Sequence, residues 1–270
     1  MPRPRFAGPI LTEHSMSSPK DQGRSPTALQ LWTIRDAVSS DIEQALRSVK
    51  AAGFRAVELA PLPLGLSAER LAEALARHEL TVVSIHGDLP TPANIEHWTQ
   101  IAHVCRCRKI IWHGWPRDPR YDSAAGLRDL IANCNAAGNL AREHGLEFGL
   151  HNHWWEFELL EGVLPIRTLH KELHPDIFWQ LDVYWARTAG FDPAGAVSEL
   201  GPRLGSIHWK DGPAVYGQPM TALGNGAVDI PRILNTLTHP VDWVIELDEC
   251  ASDPLEAARQ SLVYLEARTS

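Results

Sequence analysis

The stretch from Leu146 to Glu158 reads L-E-F-G-L-H-N-H-W-W-E-F-E. It begins as an apolar run, which is typical of a buried strand, and then places two histidines, an asparagine and a glutamate within six residues. Side chains alternate along a strand, so His151 and His153 point to one side and Asn152 to the other. These residues could belong to an exposed polar loop, but imidazole beside a carboxylate is typical of a metal site. The stretch therefore predicts a strand whose carboxyl end carries ligand-type side chains.

The same succession of an apolar run and an amphipathic stretch continues on both sides of this segment, from Ala28 to the C-terminus. The other predicted strands are A-L-Q-L-W-T-I from Ala28, R-A-V-E-L-A from Arg55, L-T-V-V-S-I-H from Leu80, K-I-I-W-H-G from Lys109, I-F-W-Q-L-D-V-Y from Ile177, L-G-S-I-H-W-K-D from Leu204 and V-D-W-V-I-E-L-D from Val241. Eight strands alternating with eight helices over about 240 residues predict an α/β fold, a single-domain (β/α)8 TIM barrel.

Local signals predict where several helices begin and end. Ser40-x-x-Glu43 has the spacing of a capping box, and Gly145 ends a helix that extends from about Ser123 to His144. A further helix is predicted from about Thr91 to Arg106.

The alternative fold is an open, doubly wound sheet. That fold usually has a glycine-rich phosphate-binding turn after its first strand, whereas this chain has T-I-R-D-A-V there. Gly224-x-Gly226 is only a weak candidate for a phosphate loop. The barrel is therefore favoured.

The composition is that of a globular protein without a nucleic-acid or membrane partner. With 44% hydrophobic residues the chain can bury a full core, and its net charge of −8 disfavours phosphate backbones and anionic membranes. No apolar run approaches the roughly 18 residues that span a bilayer. Residues 1–27 are rich in proline, serine and charge and are predicted to be a disordered tail that precedes the barrel domain, residues 28–270.

The cysteines and the N-terminus indicate a cytoplasmic protein. Cys105, Cys107, Cys134 and Cys250 are too few and too irregularly spaced for a disulfide framework, so reduced thiols are expected. The N-terminal residues lack the continuous apolar core of a signal peptide.

Ionisable residues recur at the predicted strand ends, which meet on one face of a TIM barrel. They are Glu58, His86, His113, His151, His153, Asp182, His208, Lys210, Glu246 and Asp248. Such groups facing one another destabilise a fold unless they are paired or bind a metal. The set therefore predicts a divalent ion with mixed nitrogen and oxygen ligands, which suits Mn²⁺, Co²⁺, Zn²⁺ or Fe²⁺ better than Ca²⁺.

With these residues, the chain from about Ala28 onward resembles the xylose-isomerase-like TIM barrels of the sugar phosphate isomerase/epimerase superfamily, which includes ketose 3-epimerases, inosose dehydratases and apurinic endonucleases. The resemblance implies a divalent metal held by a strand-five Glu, a strand-six Asp, a strand-seven His and a strand-eight Glu. Asp182 in L-D-V-Y-W, His208 in S-I-H-W-K-D and Glu246 in V-I-E-L-D match.

The fifth strand departs from the family pattern, because H-N-H replaces the E-N-H of many relatives. His151 then occupies the metal-ligand position, and His153 is either its substitute or its support. Mn²⁺ is the expected metal, with Co²⁺, Zn²⁺, Fe²⁺ or Mg²⁺ as alternatives.

The implied activity is that of a metal-dependent sugar isomerase or epimerase, which removes a proton next to a carbonyl and forms an enediolate. An imidazole bound to metal has no free lone pair to accept that proton. Glu156 is therefore the predicted replacement base together with Glu246, while Lys210 and His86 are predicted to donate to substrate oxygens. Both residues could instead have purely structural roles. Glu156 would then be a loop carboxylate, and Lys210 would form an ion pair with Asp211 or Glu246.

Three other activities are compatible with the resemblance. The H-N-H-x-x-E form is similar to a branch that includes metal-dependent lyases or hydratases of 3-keto-glycosides, which act by β-elimination. A non-catalytic sugar-binding barrel is a second alternative. An apurinic endonuclease is a third, and the acidic charge balance disfavours it.

The predicted partner is a small-molecule sugar or keto sugar, and a homo-oligomer is left open. His113, His153, Trp115 and Trp185 are predicted to contact this substrate, because aromatic rings near strand ends can stack on a sugar face. Glu58 belongs to the strand-end set, and a link between residues at the rim of the barrel is its structural alternative.

Overall fold

Eight parallel strands pair in chain order, and the first pairs with the last, so the sheet closes into a barrel. The computed structural model describes residues 25–61, 66–250 and 252–268. The strands are β1 (Ala28–Gln30), β2 (Ala56–Leu59), β3 (Thr81–Gly87), β4 (Lys109–Trp112), β5 (Glu147–His151), β6 (Phe178–Asp182), β7 (Leu204–Trp209) and β8 (Asp242–Ile245). The predicted single-domain (β/α)8 barrel is confirmed. The predicted tail lies outside the described residues except for residues 25–27.

The helices that follow the strands cover the outside of the barrel. They are α1 (Arg35–Ser40), α2 (Ile42–Ala51), α3 (Ala68–Arg77), α4 (Ile95–Val104), α5 (Ala124–Glu143), α6 (Pro165–Glu172), α7 (Val183–Thr188), α8 (Pro193–Leu200), α9 (Ile230–Thr236) and α10 (Pro254–Glu266). Short 3₁₀ helices occupy Leu31–Ile34, Pro119–Asp122, Trp155–Phe157 and Gly201–Arg203. The described residues thus contain two more α-helices than the eight predicted, because α1 and α7 are separate short helices.

Three predicted boundaries are wrong, two of them because a nearby side chain supplies a different cap. Asp41, rather than Ser40, caps α2 by accepting a hydrogen bond from the Gln44 N–H. Strand β6 ends at Asp182, because that carboxylate accepts from the Trp185 N–H and starts α7. Helix α4 starts only at Ile95, after a turn in which the Asn94 side chain accepts from a backbone N–H.

Strand alternation separates the barrel interior from the surrounding core. Leu29, Val57 and Ile85 face outward and belong to the large core between strands and helices. Ala28, Ala56, Val83 and Val244 form a separate small apolar cluster toward the amino ends of the strands. The interior is therefore apolar at that end.

Asp211 organises the long connection after β7. Its buried carboxylate accepts hydrogen bonds from the N–H groups of Gly212, Gly224, Gly226 and Val228. A Cβ at Gly226 would lie 2.2 Å from Asp211 Oδ1, so only glycine allows this approach. The Gly224-x-Gly226 amides are thus engaged by Asp211, and the weak phosphate-loop hypothesis is wrong.

All four cysteines are free thiols, as expected. None of the described helices is both long enough and apolar enough to cross a membrane.

Candidate active site

The predicted metal ligands meet at the carboxyl ends of β5 to β8. One ligand atom from each of Asp182, His208 and Glu246 lies within 4.8 Å of the other two, and all three residues are buried. A second group within the same limit consists of His86, His151 and His208. His208 belongs to both groups, so the two form one continuous cluster.

Two atoms in this cluster lack a hydrogen-bond partner among the described residues, although both are buried. They are Asp182 Oδ2 and His208 Nδ1. His208 Nδ1 lies 2.7 Å from Glu246 Oε2 without hydrogen-bond alignment, and His151 Nε2 lies 3.7 Å from Asp182 Oδ2. Buried acceptors are normally satisfied. Two unsatisfied atoms from neighbouring strands, with the Glu246 carboxylate beside them, are what a metal site requires, so these residues fit a divalent cation.

Lys210 places a buried ammonium beside three carboxylates. Its Nζ lies 3.0 Å from Asp182 Oδ2 and 2.7 Å from both Glu246 Oε2 and Asp248 Oδ2. Burial alone would lower the pKa of Lys210, but these three charges raise it well above its usual value. Burial raises the pKa of Asp248 to about 6, against the attraction of Lys210. Lys210 thus lies at ion-pair distance from Glu246, as its structural interpretation requires, and no ion pair joins Lys210 to Asp211 among the described residues.

Negative charge also dominates around His208. Burial opposes protonation of this imidazole, but the carboxylates of Glu58 and Glu246 raise its pKa to about 10. Burial would raise the pKa of Glu246, and Lys210 and His208 instead hold it well below its usual range. The centre of the cluster therefore favours positive charge.

Glu58 lies beneath the cluster and is fully buried on β2. Its carboxylate accepts hydrogen bonds from Gln30 Nε2 at 2.7 Å, from Gln180 Nε2 at 2.6 Å and from the Ser84 hydroxyl. His208 Nε2 lies 2.6 Å and His86 Nε2 3.2 Å from the same carboxylate. Burial alone would raise the pKa of Glu58, but His86 and His208 lower it to about 2. Glu58 is therefore a central acceptor rather than a link at the rim.

Gln180 connects Glu58 to two more imidazoles. Its Oε1 lies 2.5 Å from His86 Nε2 and 3.0 Å from His151 Nδ1, and its Nε2 donates to the Ser206 hydroxyl at 3.2 Å. Burial lowers the pKa of both His86 and His151. Both rings are therefore held neutral.

The turn after β5 fixes the end of β6. Asn152 accepts from the Asp182 N–H at 2.9 Å and donates to the Asp182 carbonyl at 3.3 Å, which holds the backbone of that ligand. Glu156 accepts from the His153 N–H at 2.8 Å, and burial raises the pKa of Glu156 to about 7. Tyr121 also bonds to the Glu156 carboxylate. The contacts of Glu156 are thus with its own turn and Tyr121, beside the ion cluster rather than inside it.

Aromatic rings surround the mouth of the site. His153 stacks on Trp155 at 4.2 Å between centroids, and the Trp115 ring lies 5.8 Å from His153. Trp115 is 54% exposed, and its backbone N–H donates to His113 Nδ1 at 3.0 Å. Lys210 Nζ lies 5.9 Å from the centre of the Trp185 ring. Trp154 links the Trp115 ring, 6.4 Å away, to the Trp185 ring, 4.9 Å away, so the four residues predicted to bind substrate lie in one group of rings.

The model of the xylose isomerase-like TIM barrel family matches residues 46–268. The chain belongs to this family. Similar solved structures agree with the fold: a sugar phosphate isomerase/epimerase from Parabacteroides distasonis is 19% identical, with 95% of this chain and 96% of that chain covered and a TM-score of 0.75.

Two further structures widen the range of relatives of this xylose isomerase-like barrel. An L-ribulose 3-epimerase is 18% identical over 90% of this chain and 94% of its own, with a TM-score of 0.69. A probable 3-DHS dehydratase from Bacillus anthracis is 16% identical over 90% of this chain and 99% of its own, with a TM-score of 0.70. None of the curated proteins matches the sequence.

Sequence reasoning missed the polar layer beneath the ligands of this xylose isomerase-like barrel. The signal was present as S-I-H, Q-L-D and S-I-H in β3, β6 and β7, where a polar residue precedes the strand-end residue by two positions. Period-2 alternation places Ser84, Gln180 and Ser206 on the same side as those strand-end residues. Polar residues that point into a barrel need partners there.

Proposed function

We propose that the protein is a divalent-metal-dependent sugar isomerase or epimerase that removes a proton next to a carbonyl and passes through an enediolate. The observation that carries the proposal is the convergence of Asp182, His208 and Glu246, with two buried atoms unsatisfied. Structural similarity to a sugar phosphate isomerase/epimerase and to an L-ribulose 3-epimerase supports the substrate class.

His151, Asp182, His208 and Glu246 would hold the metal. Two imidazoles and two carboxylates suit Mn²⁺ first, and Co²⁺, Zn²⁺, Fe²⁺ or Mg²⁺ as alternatives. When bound, a divalent metal supplies Lewis-acid polarisation of the carbonyl and stabilises negative charge on oxygen.

Proton transfer falls to groups beside the cluster. Glu156, with a pKa raised by burial to about 7, can accept and return a proton near neutral pH, and ionised Glu246 is the second carboxylate available. Lys210 donates hydrogen bonds to substrate oxygens. The predicted donor role of His86 does not fit its neutral ring, because the Nε2–H faces Gln180 Oε1 and leaves Nδ1 as an acceptor, so His86 accepts a hydrogen bond from a substrate hydroxyl. His113, His153, Trp115 and Trp185 lie together beside the ion cluster and contact the sugar.

The second candidate is a metal-dependent lyase or hydratase that acts on 3-keto-glycosides by β-elimination. It is favoured by the imidazole of His151 where an epimerase of the resembling family has a carboxylate, because two proton-exchanging carboxylates serve epimerisation best. Similarity to a probable 3-DHS dehydratase supports it as well.

One experiment separates the candidates. The purified protein is analysed for bound metal and incubated with ketoses and keto-glycosides in heavy water, followed by NMR. Deuterium at the carbon next to the carbonyl, with an epimerised or isomerised sugar, is the expected result. Release of a β-substituent would favour the lyase. Absence of both metal binding and exchange would refute enzymatic function and favour a sugar-binding barrel, while salt-dependent DNA binding would favour an endonuclease.

A further inference from the structure

The Glu58 carboxylate fixes which nitrogen of His208 carries a proton. An ionised carboxylate only accepts hydrogen bonds, so each group directed at Glu58 must be a donor. His208 Nε2 lies 2.6 Å from Glu58 Oε1 and therefore bears hydrogen. The other nitrogen, Nδ1, faces Glu246 Oε2 at 2.7 Å, on the side of the unsatisfied Asp182 Oδ2.

Glu58 also fixes the orientation of the Gln180 amide. The Gln180 atom 2.6 Å from Glu58 Oε2 must be the NH₂ group, again because the carboxylate cannot donate. The carbonyl oxygen then faces the opposite way and accepts from His151 Nδ1–H at 3.0 Å. A proton on Nδ1 leaves the lone pair of neutral His151 on Nε2, the atom that faces Asp182 Oδ2 at 3.7 Å.

The backbone places Glu58 and Gln180 opposite each other through two local irregularities. The described strand pairs shift register between Val57 and Glu58 in β2 and between Trp179 and Gln180 in β6. Such irregularities re-aim the side chains beside them. Both shifts in the barrel thus fall at the two residues that form this buried hydrogen bond.

We propose that Glu58 is a positioning residue that sets the tautomers of both imidazole metal ligands, His208 directly and His151 through Gln180. This inference rests on the proposed metal site. A carboxylate ligand has no tautomers, whereas an imidazole ligand in the wrong tautomer presents an N–H to the cation. The imidazole of His151 at the end of the fifth strand therefore creates the need that Gln180 meets.

The first test uses the metal-free wild-type protein with ¹⁵N-labelled histidine. NMR assigns the proton-bearing nitrogen of each neutral ring. We expect His151 to carry its proton on Nδ1. A His151 ring with its proton on Nε2 in the wild type would overturn the proposal, whatever the activity.

The second test measures Zn²⁺ affinity by calorimetry in Glu58→Gln. The substitution keeps the size of the side chain but adds a donor, so the Gln180 amide can turn over and release His151 from its Nδ1–H form. We expect a loss of affinity of about 10–100-fold, as for other groups that orient metal ligands. Ser84→Ala is the matched control, because it removes a donor to Glu58 that contacts neither histidine ligand. Equal losses in both variants would contradict the proposal.

A third variant separates the direct effect of Glu58 on His208 from its indirect effect on His151 through Gln180. It also replaces Glu58→Gln if that variant does not fold. Gln180→Met removes the amide and leaves Glu58 in place. We expect the His151 proton to redistribute, while His208 in the Zn²⁺-loaded protein keeps hydrogen on Nε2. An unchanged His151 would refute the relay. A wild-type protein that binds no Zn²⁺ refutes the metal site itself, whereas one that binds Zn²⁺ with an Nε2–H His151 refutes only the role of Glu58.

Discussion

The two ends of the barrel interior are built on the same strands from opposite kinds of side chain. On β2, Ala56 belongs to the small apolar cluster and Glu58, two residues on, is the fully buried acceptor of the polar layer. Val244 on β8 and Glu246 just after its end show the same change. Burial of the apolar end stabilises the fold, whereas burial of charge destabilises it unless the charges are compensated. The buried charged residues at the carboxyl end are therefore explained by a chemical role rather than by a contribution to stability.

The largest expected effect comes from removing ligands at the carboxyl end. Asp182→Ala and His208→Ala should each release the metal and lower turnover by about 1,000-fold or more, because a bound metal supplies several kcal/mol of charge stabilisation. Metal analysis and turnover of the proposed substrates check this. Full metal occupancy in both variants would exclude the site.

Lys210→Met should destabilise the metal-free protein by about 3–5 kcal/mol, because the buried carboxylates of Asp182 and Glu246 and the half-buried one of Asp248 lose their shared cation. A divalent metal supplies replacement charge, so Zn²⁺ should restore more stability to the variant than to the wild type. Urea unfolding with and without Zn²⁺ measures the difference. Equal stabilisation of both proteins would show that Lys210 and the metal do not share these carboxylates.

Glu156 should make stability depend on pH. Its pKa is raised from 4.5 to about 7 by burial, so its protonated form contributes stability that is present below about pH 4.5 and lost as the pH rises through 7. The loss amounts to about 3 kcal/mol. Between pH 5 and 8, the unfolding free energy of the wild type should therefore converge on that of Glu156→Gln, or fall below it, as the pH rises. Parallel curves for the two proteins would contradict this.

The same Glu156→Gln variant tests the predicted base. If Glu156 transfers the proton, exchange of substrate hydrogen with heavy water is lost in the variant. A normal exchange rate would leave Glu156 as a residue that holds the His153 turn.

The smallest effect is expected at the apolar end. Val244→Ala removes two buried methyl groups and should lower the unfolding free energy by about 1–3 kcal/mol. Metal content and turnover should not change, because the Val244 side chain belongs to the small apolar cluster and Val244 pairs with His208 through the strand backbones of β7 and β8. Loss of metal in this variant would show that the two ends are energetically coupled.

Much of the site could be predicted from single positions. Asp182, His208 and Glu246 were identified because each follows an apolar run at a predicted strand end, and parallel strands in a barrel bring such ends together. Helix boundaries were less predictable. Ser40 and Asp41 are adjacent residues that can both cap a helix. Which of them caps α2 depends on where the short helix α1 ends.

The sequence by itself determined the barrel and the residues at its mouth, because strand alternation and helical amphipathicity are set by residues close together in the chain. Only the tertiary structure decided how the interior hydrogen bonds pair. Glu58 meets Gln180 across 122 residues of sequence and His208 across 150. Closure of the sheet places these strands around one axis, and no local pattern specifies which donor then faces which acceptor.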